Sequence, residues 1–483
     1  MRLEQRLIIF VIAAFLMNAC TSSTERPSAE SPDLHPSQHQ SSDVPVFGVE
    51  TSRNVLGRSE VVQTRAAELG TFWLRLNSVR WDEVQPTPDS AYDWSVLSGF
   101  EADLQQAREL GMEPTVIIRG SPRWATVFPS NCAAVKEESF PAFAAFIEAL
   151  VTRYRDQVQY WEFGNEPDAD PRLVAIDQVY GCWGDIDDPY YGGEHYGRML
   201  QAVAPAVRRA NPDAQIVIGG MMLDRPETTD PTKGKPERFF EGILRSGAAD
   251  SFDIVAFHSY PFFARLGYDH DLGLFDPEII VFDDRWGPLG GFSLGKVRFL
   301  REVMDRYDVE KPLWLNEAGL VCHSRDDKCD PELPEHFQAQ ADYLVRLVAR
   351  AAANDVRMVT WYTLNGPGWR GAGLLDRSQE PRPAFVAYRH MIATLQGYQR
   401  IEPVDYGQPD TIEGYRFHKD ATVVDLLWSR STMNQTVTLT ADQVVSVTTL
   451  DGTELSPSLV TTGDGTIELF VGFDPVYIER RPE

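Results

Sequence analysis

Two Asn-Glu pairs, each closing an apolar run, are the stretches of this sequence most able to do chemistry. Trp161-Glu162-Phe163 leads into Gly164-Asn165-Glu166-Pro167, and Pro312-Leu313-Trp314-Leu315 leads into Asn316-Glu317. The apolar runs read as buried strands. The abrupt Gly-Asn-Glu-Pro stop reads as a strand end at a rim. Two such strands can aim both acids into one pocket. A pair of facing carboxyls is the machinery of glycosidic bond cleavage: one attacks the anomeric carbon, the other protonates the leaving oxygen. An unpaired acid at the end of an apolar strand is otherwise costly to bury. Glu166 and Glu317 are therefore the expected catalytic residues.

Positioning them requires a scaffold that gathers distant strand ends. Short apolar runs alternate with amphipathic helical patterns from about Val46 onward. Eight such runs occur: Val46–Glu50, Phe72–Leu76, Pro114–Gly120, the run ending at Glu166, Gln215–Gly220, Ile254–Pro261, the run ending at Glu317, and Met358–Leu364. Strands alternating with helices indicate a parallel sheet, and eight close a (β/α)8 barrel with its chemistry at the C-terminal strand ends. After about Gly397 the helical period disappears. Short β-rich runs with Asp451-Gly452 and Asp464-Gly465 turns follow, which reads as a small β-sandwich. The expected fold class is α/β, a TIM barrel over 46–396 with a β-sandwich over 397–483. The sandwich reads as a structural domain packed on the barrel, because no exposed aromatic platform stands out in it.

These residues together resemble retaining glycoside hydrolases of clan A, closest in flavour to family 39, with families 5 and 42 as near relatives. The resemblance rests on Asn165-Glu166-Pro167 on strand four, His258-Ser259-Tyr260 on strand six, Glu317 on strand seven and Trp361 on strand eight. Trp81-Asp82-Glu83-Val84-Gln85-Pro86 and Gly120-Ser121-Pro122-Arg123-Trp124-Ala125 support it. It implies Glu166 as acid/base and Glu317 as nucleophile of a double displacement at a β-linked glycoside. It further implies Asn165 at the sugar 2-hydroxyl, Arg75 beside the nucleophile, His258 and Tyr260 near the two acids, and Trp361 as an aromatic floor. Asn316 stands where another residue is usual, which leaves its contacts open. Trp124, Trp183 and Trp369 lie beyond strand ends and are candidates for stacking sugars, or for anchoring loops. The implied partner is an oligo- or polysaccharide, with no cofactor and no metal. A catalytically inactive glycan-binding surface protein and a transglycosylase are the alternatives.

The formal charge is −26, from 45 Lys plus Arg against 71 Asp plus Glu. Nucleic acid is thereby excluded as an expected partner, since binding it needs a basic surface. Arg2 and Arg6 precede the apolar run Leu7–Met17, which is shorter than the ~20 residues of a bilayer-spanning helix and suits a secretory signal. Met17-Asn18-Ala19-Cys20-Thr21 resembles a bacterial lipoprotein cleavage site, with Cys20 lipidated. Residues 1–19 are then a signal peptide, and 20–45, rich in Ser and Pro, a flexible linker. The expected location is outside the cytoplasm, on a membrane through that anchor. An ordinary signal with an incidental Cys20 is the alternative. Export permits disulfides. Four further cysteines fall in loops on the active-site face, without zinc spacing. Cys132–Cys182 and Cys322–Cys329 are the expected pairs. The loop with Asp185, Asp187 and Asp188 is acidic but has no calcium-ligand spacing.

Overall fold

The computed structural model describes residues 45–172, 178–224, 230–263, 276–279, 285–322, 334–431, 433–455 and 465–482. The signal segment, Cys20, nearly all of the linker and Cys329 lie outside these residues.

Eight parallel strands form the central sheet: β1 (Phe47–Thr51), β2 (Trp73–Arg80), β3 (Glu113–Arg119), β4 (Tyr160–Phe163), β5 (Gln215–Ile218), β6 (Val255–Ser259), β7 (Leu313–Ala318) and β8 (Val356–Trp361). Their order is β5-β4-β3-β2-β1-β8-β7-β6. Parallel bridges Val217–Ile254 and Met221–Phe257 join the two ends and close the cylinder. A helix follows each strand: α1 (Glu60–Leu69), α2 (Ser98–Glu109), α3 (Phe140–Arg153), α4 (Gly193–Ala210), α5 (Phe239–Arg245), α6 (Phe292–Arg306), α7 (Pro334–Ala353) and α8 (Pro383–Leu395). The fold is a (β/α)8 barrel. Local chemistry sets its joints. The Ser59 hydroxyl caps α1 by accepting from the Val62 amide, and Gly70 ends that helix at φ 74°, a left-handed geometry that suits glycine.

Strand alternation writes two layers into the barrel interior. The lower layer is apolar: Trp73, Val217, Ala256, Trp314 and Met358 are buried there with Tyr160 against them. The rings of Trp73, Tyr160 and Trp314 meet in pairs at 5.1, 5.1 and 5.2 Å and plug the base. Two residues further along the same strands stand Arg75, Glu162, His258, Asn316 and Thr360, all buried. The period of two thus converts an apolar floor into a charged ceiling within one strand length.

Beyond α8 come β9 (Arg400–Pro403), β10 (Ile412–His418), β11 (Val423–Ser429), β12 (Gln435–Thr440), β13 (Val444–Thr449), β14 (Thr466–Val471) and β15 (Val476–Arg480). Five of them pair in the order β9-β10-β11-β15-β13, and β12 pairs with β14. Leu427, Val437, Leu439, Val447, Leu469 and Ile478 make their shared core. This is the C-terminal sandwich. Together with the barrel it forms one compact unit.

A buried ion cluster ties the two parts. Arg350 on α7 donates to both oxygens of Asp276, at 2.9 and 2.8 Å, and to both oxygens of Glu413 on β10, at 2.8 and 2.8 Å. Arg346, one turn earlier, lies over the Phe473 ring at 3.6 Å. Burial alone would raise Asp276, but the charges of Arg350 and Arg346 hold it down at about 2. Removing one partner of such a cluster strands a buried charge, at a cost of about 3–5 kcal/mol. A chain truncated after Gly397 loses Glu413 and the sandwich cover of α7 together. It is expected to aggregate or to lack a cooperative thermal transition, as circular dichroism would show; a stable, cooperative truncated barrel would contradict this.

Candidate active site

Glu317 reaches the barrel axis through a break in the alternation. Asn316 occupies the inward position on β7, so a regular strand would send Glu317 outward. The register against β6 slips instead: Phe257 pairs with Leu315, and His258 with Glu317. Asn316 is the extra residue of this bulge, and the bulge turns Glu317 inward as well. Asn316 itself is fully buried, and neither atom of its amide has a hydrogen-bond partner.

Glu166 arrives by another route. β4 ends at Phe163, Gly164 takes φ 87°, and Glu166 itself sits at φ 49°. Its backbone N–H donates to the Gly220 carbonyl at 3.0 Å, which fixes the turn to the end of β5. Gly220 is needed there for space. A Cβ on it would lie 2.0 Å from His258 Nε2 and 2.6 Å from Asn316 Oδ1.

The two acids share one cleft. An oxygen of Glu166, a ring nitrogen of His258 and an oxygen of Glu317 all lie within 4.8 Å of one another. His258 Nδ1 is 3.1 Å from Glu166 Oε1, and its Nε2 is 3.5 Å from Glu317 Oε2. Tyr260 donates its hydroxyl to Glu317 Oε1, and Arg75 Nη1 donates to Glu317 Oε2. Arg75 is fully buried and also serves Glu50 Oε2 at 2.5 Å, both oxygens of Glu162 at 3.0 and 2.7 Å, and Asn165 Oδ1 at 2.7 Å. One guanidinium therefore carries three carboxylates and an amide.

The electrostatics follow from that sharing. Burial pushes Glu317 up, but His258, Arg75 and the Tyr260 hydroxyl more than offset it and hold the carboxyl below its ordinary value. Burial pushes His258 down, yet the neighbouring Glu317 and Glu166 carboxylates raise it above the ordinary histidine value. Glu50 goes the other way. Burial outweighs its share of Arg75 and, with Glu317 nearby, raises it to about 7. Among the described residues Glu166, His258 and Glu317 are the one group spaced to hold a metal ion. Both oxygens of Glu317 already accept hydrogen bonds, and a cation there would have to displace the Arg75 guanidinium.

Glu50 makes a pH prediction. Its folded pKa lies above its unfolded value, so the folded state holds the proton more tightly. The stability it contributes is complete below about pH 4.5 and is lost as pH rises through about 7. Glu50→Gln should flatten the fall in unfolding free energy between pH 5 and pH 8, measured by denaturant titration, by an amount on the order of 2 kcal/mol. Parallel pH profiles for the parent and the variant would refute the raised pKa.

The cleft has a volume of about 670 Å³ and is lined by Glu50, Asn165, Glu166, His258, Tyr260 and Glu317, with Tyr362 and Trp369 at its aromatic side. Trp369 is 46% exposed and meets Tyr260 edge-on at 5.4 Å. Three expected aromatic contacts are displaced. Trp361 is buried on the outer side of β8 against Tyr343 of α7, and its Nε1 donates to the Ala372 carbonyl at 2.9 Å. Alternation hands the cleft to its neighbour, Tyr362. Trp124 packs on Trp81 at 5.3 Å and donates to the Gln85 carbonyl at 3.4 Å, so it anchors its loop and does not line the cleft. Trp183 likewise packs on Tyr196 at 5.3 Å and His195 at 5.5 Å.

Glu50, Glu162, Lys296 and Tyr362 also belong to the site, though no motif in the sequence singles them out. Lys296 on α6 is buried and donates to the Met222 and His258 carbonyls at 2.7 and 3.0 Å and to Asp224 at 2.9 Å. Glu162 had a signal: a charge between Trp161 and Phe163 in an apolar strand must point to the opposite side from both. The loops after β3 and β4 are bridged by the expected Cys132–Cys182 disulfide, with Cα atoms 5.5 Å apart. Cys322 is disulfide-bonded too, and its expected partner Cys329 lies outside the described residues. Asp187 of the acidic loop pairs with Lys233.

Comparison with known proteins agrees with this architecture. A family model, the cellulase domain of glycosyl hydrolase family 5, matches residues 38–271, a span that includes Glu166 and stops before β7. No curated protein matches by sequence. Among solved structures, a family 39 glycoside hydrolase from the gut symbiont Bacteroides cellulosilyticus WH2 is similar over 91% of this chain and 81% of its own, at TM-score 0.65 and 19% identity. A conserved exported protein from Bacteroides fragilis is similar over 92% and 98%, at TM-score 0.62 and 14% identity. A family 30 subfamily 8 xylanase from Clostridium acetobutylicum is similar over 92% and 97%, at TM-score 0.57 and 13% identity. The resemblance to clan A glycoside hydrolases thus extends to a family model and to the fold. None of the described helices is long and apolar enough to cross a membrane.

Proposed function

We propose that the protein is a retaining glycoside hydrolase acting on β-linked oligo- or polysaccharides by double displacement. The observation that carries this reading is the spacing of the two acids. Oxygens of Glu166 and Glu317 lie within 4.8 Å, whereas carboxyls in retaining enzymes stand about 5–5.5 Å apart and those in inverting ones about 6.5–9.5 Å. That spacing favours direct attack by the second carboxylate over activation of a water held between sugar and base.

Glu317 is the nucleophile in this scheme. It is held ionised by Arg75 and aimed by Tyr260. Glu166 protonates the departing glycosidic oxygen, and a glycosyl ester forms on Glu317. Glu166, now ionised, takes a proton from water, which attacks the anomeric carbon and releases Glu317. Asn165, held by Arg75 through its oxygen, offers its amide N–H to a sugar hydroxyl in the cleft. Tyr362 and Trp369 supply apolar faces for the ring.

The direct test is the configuration of the first product. Hydrolysis of an aryl β-glycoside panel, followed by proton NMR before mutarotation, should show the β-anomer. An α-anomer, or no turnover of any β-linked substrate, would sink the reading. We propose Cys20 as the lipid attachment site, on the sequence signal alone. Cys20→Ser should move the protein from the membrane to the soluble fraction, and an unchanged distribution would remove the anchor.

A further inference from the structure

Arg119, the last residue of β3, lines the same cleft as Glu166 and Glu317. Its neighbours of like charge are all paired. Arg53 binds Glu83, Arg80 binds Asp82 and Glu83, and Arg75 binds Glu50, Glu162 and Glu317. Arg119 has no carboxylate within ion-pair distance among the described residues. Its Nη2 donates to the Asn77 carbonyl at 3.3 Å, and its Nε is buried with no acceptor. The side-chain oxygen of Asn77, another residue of the cleft wall, is buried with no donor. An orphan donor and an orphan acceptor therefore belong to two residues of the same cleft wall.

A half-buried guanidinium is ordinarily matched by a carboxylate, as those of the neighbouring Arg53 and Arg80 are. Burial, only partly offset by Glu50 and reinforced by Arg80, Arg53 and Arg75, lowers the Arg119 guanidinium to about 10. It stays charged at neutral pH but is short of negative charge. Glu50 supplies only part of that charge, since its Oε2 accepts from Arg75 at 2.5 Å. In a chain with a formal charge of −26, an unmatched cation facing the cleft is conspicuous.

We infer that Arg119 and Asn77 form a subsite for an anionic sugar substituent, a carboxylate or a sulfate ester, so that the glycan cleaved is an acidic one. This rests on the glycosidase reading above. The planar fork of Arg119 matches either anion, and the Asn77 oxygen accepts from a hydroxyl of the same sugar. The anion completes the charge balance that the fold leaves open.

The test uses the full-length Glu317→Gln protein for binding and the parent for turnover. The probes are a β-linked uronic-acid oligosaccharide with its carboxyl-reduced counterpart, and a sulfated β-linked oligosaccharide with its desulfated counterpart. Calorimetry should show one anionic probe bound at least about tenfold more tightly than its neutral partner, with affinity falling as salt rises. Which pair shows the preference distinguishes carboxylate from sulfate. Arg119→Gln should bring that ratio close to one, and Arg119→Lys, which keeps the charge without the fork, should restore part of it. No preference for either anion, or a preference unmoved by Arg119→Gln in protein that melts like the parent, overturns the inference. If neutral probes alone are hydrolysed, the glycosidase reading stands while this inference falls. If no probe is hydrolysed or bound, both fall.

Discussion

Glu317→Gln is expected to lower turnover of an aryl glycoside by about 10⁴-fold or more, a loss of roughly 5.5 kcal/mol of barrier lowering. Glutamine keeps the shape of the side chain and can still meet Tyr260, but it cannot form the glycosyl ester. Glu166→Gln should behave differently, and the difference is the informative part. Loss of a general acid costs about 10²–10⁴-fold when the leaving group needs a proton. With a dinitrophenolate, which needs none, the first step survives and the second becomes limiting. A burst of phenolate and a low KM are then expected. Added azide should restore the two alanine variants with opposite outcomes. In Glu166→Ala it attacks the glycosyl ester and gives a product of retained configuration. In Glu317→Ala it attacks the substrate itself and gives an inverted one. Identical kinetics for the two variants, or undiminished turnover in either, would show that the roles are wrongly assigned.

The architecture was readable because barrels repeat. Eight apolar runs with helices between them left few other topologies, and the acids at the ends of the fourth and seventh runs declared themselves by being charged where the neighbours were not. The directions of side chains were less readable. Strict alternation would have turned Glu317 away from the axis, and only the slip at Asn316 brings it back. A bulge is set by how two strands pair, so neither strand's own sequence announces it. The same alternation defeated the reading of Trp361: its type suits a sugar floor, but its register places it against α7 and puts Tyr362 in the cleft. Glu50 and Glu162 are not legible in the sequence because their roles are relational. Each is an ordinary acid in a strand until closure of the sheet brings Arg75 between them.

Arg75→Met is expected to be the most damaging single change that leaves both catalytic carboxylates in the chain. The guanidinium is the counter-charge for Glu50, Glu162 and Glu317, all buried above an aromatic plug. Methionine fills comparable volume and leaves the carboxylates facing one another. Breaking a buried pair costs about 3–5 kcal/mol, and here one substitution breaks three. The acids can escape by taking up protons, which gives the loss a pH dependence. Proton uptake by the stranded carboxyls favours the folded variant at low pH, and that stability is lost as pH rises. Arg75→Met should therefore melt closer to the parent at pH 5 than at pH 8. Its residual activity should show an acid limb moved upward, because Glu317 loses the charge that helps hold it ionised. Arg75→Lys keeps a charge but offers three donors from one point in place of a fork that spans Glu50, Glu162, Asn165 and Glu317, so it should recover stability more than rate. Adding Glu162→Gln to Arg75→Met should recover stability as well, since it removes one of the stranded charges; two strictly additive losses would mean that the pair does not interact. A variant that melts with the parent at pH 8 would show that these carboxylates do not depend on Arg75, and the claim that one guanidinium organises the site would fail with it.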